Sequence, residues 1–383
     1  MQRFPAFLLT LLALLYGATV AFATCAQSIA PPAAAKPLPA QAATAAKPEA
    51  NLQANLPKPH IALILPLKSE AFGNAAELAR QGFLAAAGHQ GNPSLPIKTY
   101  ATTEQVDEIL SAYQLALAAG AQVVVGPLTR DGVSALTRSG MVRVPTLALN
   151  LPDDFTALPA NLFTLSLNVE NEAQQAASLA AQGDRRKALI ITTDTPLSQR
   201  MQQAFADAWQ KLGGVILRQL VYTSNPEGLQ TLRQAVTISG ADTIFLALDA
   251  RRARLVRPYL DANANIYATS QIFSGNTQGP LNFDLNGIRF VDMPWVLQSD
   301  HPAVMIYPRP NSPVIVDLER LYALGIDAYR ITQDLLNARP GLGYTLDGVT
   351  GQITLNAENQ FVRELLPAMF YQGQAVVLYE PKR

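Results

Sequence analysis

The sequence has little of the chemistry on which most catalytic and metal sites depend. Its 383 residues include one cysteine and three histidines, which excludes an internal disulfide and argues against a zinc site of the Cys/His type. No histidine has a second histidine at metal-ligand spacing, and the sequence contains no phosphate-loop, strand-linked GxGxxG or GxSxG motif. We therefore expect no catalytic residues, no metal and no cofactor.

The chain also lacks a net charge, because 29 Lys and Arg are balanced by 29 Asp and Glu. A nucleic-acid-binding protein needs a basic face that replaces the counterions of the phosphates. We therefore expect no nucleic-acid partner. Balance over the whole chain still leaves room for local basic patches.

Long apolar runs are missing except at the amino terminus. There Arg3 precedes an uncharged apolar run over residues 7–20, and the small residues Ala21 and Ala23 follow it. The run is too short for a transmembrane helix, and its flanks are those of a secretory signal peptide. We predict a signal peptide over residues 1–24 and export of the rest of the chain.

The single cysteine, Cys25, directly follows this segment and has two interpretations. In the first, cleavage precedes Cys25, which becomes the lipid-attachment residue of an outer-membrane lipoprotein facing the periplasm; Ala26 after it, in place of Asp, favours the outer membrane. In the second, cleavage follows Ala23 and the protein is soluble in the periplasm. An unpaired thiol in an oxidising compartment is a reactive liability, which favours lipid attachment.

Residues 25–59 consist mostly of alanine and proline. Such a stretch cannot bury a core, and its prolines interrupt any long helix. We predict an Ala/Pro-rich linker. At about 3.1 Å per residue in a polyproline-like conformation it would reach on the order of 100 Å.

From His60 onward, short apolar runs alternate with segments of helical periodicity. Residues 60–65 (HIALIL) are typical of a buried strand, and residues 74–87 follow as a helix. The same alternation continues as far as residue 268 and predicts βαβ units with parallel sheets, hence an α/β fold. About ten strands exceed one simple doubly wound sheet, so we expect two lobes.

One basic cluster stands out within this body. A helix predicted over residues 250–261 carries Arg251, Arg254 and Arg257 at spacings that place them on one face. The simpler interpretation is a solvated helix face; the functional one is a surface that binds an acidic partner. Trp295 follows a strand-like run and is expected to pack between the lobes. The neighbouring carboxylates of Asp153 and Asp154 fit a solvated turn.

Several separated motifs then resemble one known family. They are, in order, IALILPL (61–67), RQGFLAAA (80–87), VVVGPLTRDGVSAL (123–136), IYATSQIFSG (266–275), GIRFVDMPWVL (287–297), RLYALGIDAYRI (320–331) and GVTGQITLNAENQFVRELLPAMF (348–370). Together they resemble the penicillin-binding protein activator lipoproteins of Gram-negative bacteria, a branch of the type I periplasmic-binding-protein fold. The resemblance covers the chain from about residue 60 to its end.

The resemblance implies a bilobed domain over residues 60–383, with three crossovers between two doubly wound parallel-sheet lobes. We place lobe 1 at about 60–165 and 290–338, and lobe 2 at about 166–289 and 339–383. It further implies a non-enzymatic activator of peptidoglycan synthesis that binds a class A penicillin-binding protein from the outer-membrane side. The well-known enteric members carry a helical-repeat domain before the bilobed domain, where this sequence has only the Ala/Pro-rich stretch.

The same fold serves solute receptors of amino-acid and related ABC transporters, which is the alternative function. Strand ends at the cleft would then supply the ligand contacts. The expected cleft residues are Pro66, Ser69, Gly126, Leu128, Thr129, Thr269 and Ser270. Proline at 127 offers no amide hydrogen and Leu128 is apolar, which argues against an amino-acid site and makes a small-molecule ligand doubtful.

Overall fold

The computed structural model describes residues 57–91, 94–153, 157–275, 279–311, 313–337 and 340–379, all within one compact unit, Asn55–Arg383. The predicted signal peptide, Cys25 and most of the predicted linker lie outside the described residues. No helix in the described ranges combines the length and the apolar character that crossing a bilayer requires.

The buried apolar runs of the sequence form the strands, and the amphipathic segments between them form the helices. The strands are β1 (His60–Leu65), β2 (Ile97–Ala101), β3 (Ala121–Val125), β4 (Thr146–Ala148), β5 (Leu162–Leu165), β6 (Lys187–Thr192), β7 (Val215–Val221), β8 (Thr243–Leu246), β9 (Asn265–Ala268), β10 (Arg289–Asp292), β11 (Thr345–Gly348), β12 (Gly351–Leu355), β13 (Gln360–Glu364), β14 (Leu366–Tyr371) and β15 (Gln374–Val377).

The helices are α1 (Gly73–His89), α2 (Val106–Ala118), α3 (Arg130–Arg138), α4 (Val169–Ala181), α5 (Pro196–Lys211), α6 (Pro226–Ser239), α7 (Ala250–Val256), α8 (Gly279–Asn282), α9 (Pro294–Leu297), α10 (Pro302–Met305) and α11 (Val316–Asn337). Short 3-10 helices cover Arg257–Tyr259, Ser270–Ile272 and Phe283–Leu285.

Two sheets are built from the described strands. The first has the order β11-β12-β13-β5-β4-β3-β1-β2, and the second has the order β15-β14-β10-β9-β8-β6-β7. Pairing is parallel from β2 to β13 and from β7 to β10. It is antiparallel among β11, β12 and β13 in the first sheet and among β10, β14 and β15 in the second. The predicted α/β fold with two lobes is confirmed.

Each sheet is covered on both faces, as parallel sheets require. In lobe 1, one core cluster joins β1, β3 and β5 to α1 and α11, and a second joins the opposite face to α2 and α3. In lobe 2, two further clusters cover the two faces of the second sheet.

The lobe boundaries expected from the sequence need one correction. Residues 339–383 were assigned to lobe 2, but β11, β12 and β13 extend the first sheet through the parallel pairing of β13 with β5. Only β14 and β15 join lobe 2, while β10, assigned to lobe 1, pairs with β9 and β14 in lobe 2. Strand periodicity identifies a hairpin but does not show which sheet edge it joins.

Candidate functional site

The chain passes between the lobes at three places. It does so between β5 and α4 (residues 166–168), between β10 and α9 (Met293) and between β13 and β14 (Leu365). The three crossovers implied by the resemblance are therefore present. Charged side chains that the sequence analysis did not select are concentrated around them.

A buried ion pair links α11 of lobe 1 to the end of β10 in lobe 2. Arg320 Nη2 lies 2.6 Å from Asp292 Oδ2, and Arg320 Nε lies 3.2 Å from Oδ1. The same Nη2 donates to the carbonyl oxygens of Ser270 (3.0 Å) and Phe273 (3.1 Å). Burial opposes the charge on Arg320, but the carboxylates of Asp292, Asp317 and Glu172 together outweigh it and raise the pKa of the guanidinium. One arginine thus fixes two segments of lobe 2 against lobe 1.

A second buried pair, Glu172 and Arg363, lies beside the first and third crossovers. Glu172 Oε2 accepts hydrogen bonds from the hydroxyl (2.7 Å) and the backbone N–H (3.2 Å) of Ser270, and Glu172 Oε1 lies 3.8 Å from Arg363 Nη2. Arg363 also donates to the carbonyl oxygens of Ser166 (2.8 Å) and Thr350 (3.2 Å). Burial raises the pKa of Glu172 and lowers that of Arg363. The two pairs meet at Ser270, and together they form the hinge network (Glu172, Ser270, Asp292, Arg320, Arg363).

We expect the Glu172 carboxyl to make stability depend on pH. Its folded pKa lies above the unfolded value of about 4.3, so its contribution is full below that value and is lost as pH rises through the folded pKa. Glu172→Gln keeps a neutral acceptor for Ser270 but has no proton to lose. The unfolding free energy of the wild type minus that of the variant, from urea titrations between pH 4 and 7, should therefore decrease with pH. A difference that is constant or increases would contradict this assignment.

A cavity of about 550 Å³ lies between the lobes near the same crossovers. Arg130 at the start of α3 contacts Asp153 at 2.6 Å and Glu170 of α4 at 3.8 Å, and Glu170 contacts Arg200 of α5 at 2.8 Å. The hydrogen bond from Arg130 outweighs desolvation and lowers the pKa of Asp153. Asp153, expected in a solvated turn, is therefore paired; Asp154 lies outside the described residues. These partly exposed pairs add little stability individually, about 0–1 kcal/mol each.

Three of the four hydroxyl groups proposed for the cleft form hydrogen bonds within the fold. Ser69 is 7% exposed and its Oγ accepts from the N–H of Phe72 at 3.0 Å. Thr269 is fully buried and its Oγ1 accepts from Gln271 N–H. Ser270 is 1% exposed and binds Glu172. Thr129 Oγ1 is buried with no hydrogen-bond partner among the described residues.

The apolar cleft candidates also have structural environments. Pro66 is buried and Leu128 belongs to the lobe 1 core. Gly126 has a φ of +105°, and a side chain there would overlap the carbonyl oxygen of Ile64 on the adjacent strand. Gly126 also precedes a cis proline. The seven residues lie at strand ends, as expected, but none lines the 550 Å³ cavity, and ligand contact by them stays a prediction.

The predicted arginine face is only partly formed. The helix expected over residues 250–261 ends at Val256, because Pro258 has no N–H to continue it, and a 3-10 helix follows. Arg251 is exposed, and Arg254 donates to Ser274 (3.4 Å) and Asn282 (3.2 Å). Arg257 instead donates to the carbonyl oxygen of Asn286 at 3.3 Å, and burial lowers its pKa. Arg251 and Arg254 share a groove with residues of lobe 1; Arg257 does not line it.

One sequence signal could have identified part of the hinge network. Along α11, the buried positions Arg320, Leu324, Asp327 and Ile331 recur at helical spacing on one face. Charges on an otherwise apolar stripe indicate buried pairs, because an unpaired buried charge is very costly. Glu172 gave no such signal, since acidic residues are common in the first turn of a helix. The described residues contain no group of three or more His, Cys, Asp or Glu able to hold a metal ion.

Solved structures share this fold. One from Chromobacterium violaceum, described as a putative branched-chain amino acid ABC transporter, is 40% identical with a TM-score of 0.69, covering 82% of this chain and 100% of that chain. The LpoA (YraM) C-domain from Haemophilus influenzae, described as a regulator of PBP1A, is 24% identical with a TM-score of 0.72. The match covers 84% of this chain and 100% of that chain. The expected periplasmic-binding-protein-like fold is confirmed.

Curated relatives are named penicillin-binding protein activator LpoA. The protein from Edwardsiella piscicida is 29% identical over 331 residues, which are 75% of this chain and 46% of the relative. The protein from Escherichia coli K12 is 26% identical over 331 residues, which are 74% of this chain and 48% of the relative. The chain spans about half the length of the curated relatives it matches.

A family model described as LppC putative lipoprotein matches residues 27–373. This range is most of the chain and includes every motif on which the resemblance to the activators was based. The resemblance is thereby confirmed, and the chain belongs to the LppC lipoprotein family.

Proposed function

We propose that this protein is a non-enzymatic activator of peptidoglycan synthesis that binds a class A penicillin-binding protein from the outer-membrane side. The observation that carries the proposal is the similarity to activators named LpoA, at 26–29% identity over about three quarters of this chain. Because the match spans about half of each relative, their activity and partner are transferred to this chain as a proposal.

The interior of the fold supports a protein-binding role over a solute-binding one. A solute receptor needs polar groups that face its cleft and can close on a ligand. Here the hydroxyl groups of Ser69, Thr269 and Ser270 are buried and engaged in intramolecular contacts. The charged side chains that line the 550 Å³ cavity between the lobes are paired with one another (Arg130, Asp153, Glu170, Arg200). Arg320 in addition holds the lobes through a buried ion pair.

The direct test is the affinity of the mature protein for the class A synthase of the same organism, measured by surface plasmon resonance with the synthase immobilised. We expect saturable binding that persists at physiological salt. An unrelated membrane protein immobilised at the same density serves as the reference surface. Absence of saturable binding would contradict the proposal.

The second candidate is a solute receptor of an ABC transporter. It is favoured by the 40% identity to the Chromobacterium violaceum protein described in those terms. A ligand at one hundred times its Kd would stabilise the fold by about 2.7 kcal/mol and raise the melting temperature by several degrees. A screen of branched-chain and other amino acids should give no such shift if the activator proposal is correct, and one strong shift would favour the receptor.

We also propose that Cys25 carries the lipid that holds the protein at the outer membrane. Membrane fractionation should place the wild type in the outer-membrane pellet, whereas Cys25→Ser should move it to the soluble periplasmic fraction. Mass spectrometry of the mature amino terminus provides the independent check. An unmodified terminus at Thr24 would refute lipid attachment.

A further inference from the structure

A groove of about 850 Å³ lies between the lobes and is separate from the 550 Å³ cavity described above. One wall is the start of α7 with Arg251 and Arg254, followed by residues 271–275 of lobe 2. The opposite wall comes from lobe 1 and contains Trp295, Arg309 and Ile315. An occupant of this groove would therefore contact both lobes at once.

The lobe 1 wall is apolar with a cationic edge. The Arg309 guanidinium lies 4.1 Å from the ring centre of Trp295 and donates to the Trp295 carbonyl oxygen at 2.8 Å. Ile315 is 67% exposed, so its side chain is accessible to an occupant of the groove. Trp295 itself is fully buried beneath Arg309, so the accessible part of this wall includes the Arg309 guanidinium and Ile315. Arginine is one of the residues enriched at the hot spots of protein interfaces.

The charges around the groove favour an acidic occupant. Its three carboxylates are already matched: Asp249 by Arg252, Asp317 by Arg320 at 2.5 Å, and Glu319 by Arg309 at 3.3 Å. Arg251 is exposed and has no ion-pair partner among the described residues. The lining itself carries three arginines and three carboxylates. Because Arg252 and Arg320, which lie outside the lining, match two of these carboxylates, Arg251 is left as an exposed cation at the groove.

A buried donor is available in the same wall. The indole Nε1 of Trp295 is buried and has no hydrogen-bond partner among the described residues. Buried N–H groups are rarely left unpaired in folded proteins.

We propose that this groove receives an extended acidic segment of the class A synthase, with apolar side chains against Ile315 and carboxylates on Arg251. This inference rests on the proposed function and adds to it the contact surface and the chemistry of the partner segment. A second copy of the chain bound through the same groove is a poorer occupant, because the Arg251 side chains of the two copies would repel each other.

The test uses two single variants of the full mature protein, Arg251→Glu and Ile315→Asp. Both side chains are exposed, so the fold should tolerate them. Matched controls come from the edge strand β7, where Arg218 and Val221 are exposed: Arg218→Glu and Val221→Asp. Binding to the immobilised synthase is measured at low and at physiological salt, with melting temperatures recorded for all four.

We expect Arg251→Glu to weaken binding about tenfold or more at low salt and less at higher salt, because an exposed charge acts through screened attraction. Ile315→Asp should weaken it at both salt concentrations, and both controls should stay within about twofold of the wild type. If the wild type binds the synthase and all four variants bind it with the same affinity, the groove is not the binding surface, while the proposed function still holds. Failure of the wild type to bind would overturn both.

A photocrosslinking amino acid placed at position 315, with position 221 as control, gives an answer that does not depend on affinity. We expect a crosslink to the synthase from 315 only, mapping to a segment rich in Asp and Glu. A crosslink from 221 and none from 315, or a crosslink from 315 to a basic segment, would overturn the proposal.

Discussion

Arg320→Met should lower the free energy of unfolding by about 3–5 kcal/mol, the cost of leaving one partner of a buried ion pair alone. The variant leaves the Asp292 carboxylate, 1% exposed, without its cation, and removes the donor to the Ser270 and Phe273 carbonyl oxygens. Urea unfolding monitored by tryptophan fluorescence measures the loss. Trp295 lies in the adjoining crossover segment and Trp209 in the lobe 2 core, so the two lobes both report.

Arg80→Met is the matched control, because Arg80 pairs with Glu77 on the partly exposed surface of α1. Arg80→Met should lower the free energy of unfolding by only about 0–1 kcal/mol. Adding Asp292→Asn to Arg320→Met should recover part of the stability, since it removes the uncompensated charge while keeping an acceptor for the Met293 N–H. An Arg320→Met loss no larger than that of Arg80→Met would contradict the role given to the hinge network.

Gly82→Ala is the second large prediction. Helices α1 and α11 pack so closely that a methyl group at Gly82 would overlap the backbone carbonyl of Tyr322, and one at Gly325 would overlap that of Ala79. Backbone cannot move aside as a flexible side chain can, so we expect a loss at or above the usual overpacking cost of about 1–3 kcal/mol. Gly325→Ala should behave alike, and the double variant should lose less than the sum because one helix shift relieves both clashes.

Gly88→Ala tests the same substitution in the same helix without the clash. Gly88 is exposed on α1, and a methyl group there meets nothing within 4 Å. Alanine is favoured over glycine in a helix by about 0.8–1 kcal/mol, so the variant should be slightly more stable than the wild type. If Gly88→Ala lowered the free energy of unfolding, or if Gly82→Ala did not lower it, the helices would not be packed as described.

Local periodicity was sufficient to predict the layered fold. Residues 60–65 form β1 as expected, and the helix expected over 74–87 is α1, Gly73–His89. Periodicity did not predict which lobe a strand joins, because that depends on contacts between residues distant in sequence. Residues 339–383 were expected in lobe 2, and only the pairing of β13 with β5, about 200 residues earlier, puts β11, β12 and β13 in lobe 1.

The candidate site shows the same division. Strand-end hydroxyl residues can be found from sequence, but whether Ser270 faces a cleft depends on Glu172, which lies 98 residues away in the chain and binds its hydroxyl. Arg251 was recognisable as part of a basic helix, whereas Ile315 and Trp295 join it only through the apposition of the lobes. Burial and pairing between distant segments are properties of tertiary structure that spacing along one segment does not encode.

The hinge network and the groove together suggest how the protein would act. The buried pairs hold the two lobes as one body, so both walls of the groove present a fixed surface to a partner. A binding surface that is already ordered loses little conformational entropy on association. We therefore expect the bilobed fold to act as a rigid binding surface for another protein.

The measurement that bears most directly on this account is the activity of the cognate class A synthase with and without the mature protein. Glycan polymerisation and peptide crosslinking are followed on lipid II, with a synthase lacking its transpeptidase nucleophile to separate the two reactions. We expect a dose-dependent, saturating increase in at least one rate. Arg251→Glu should shift the half-maximal concentration upward, and Arg218→Glu should leave it unchanged. Rates that stay unchanged at saturating concentrations of the wild-type protein would contradict this expectation.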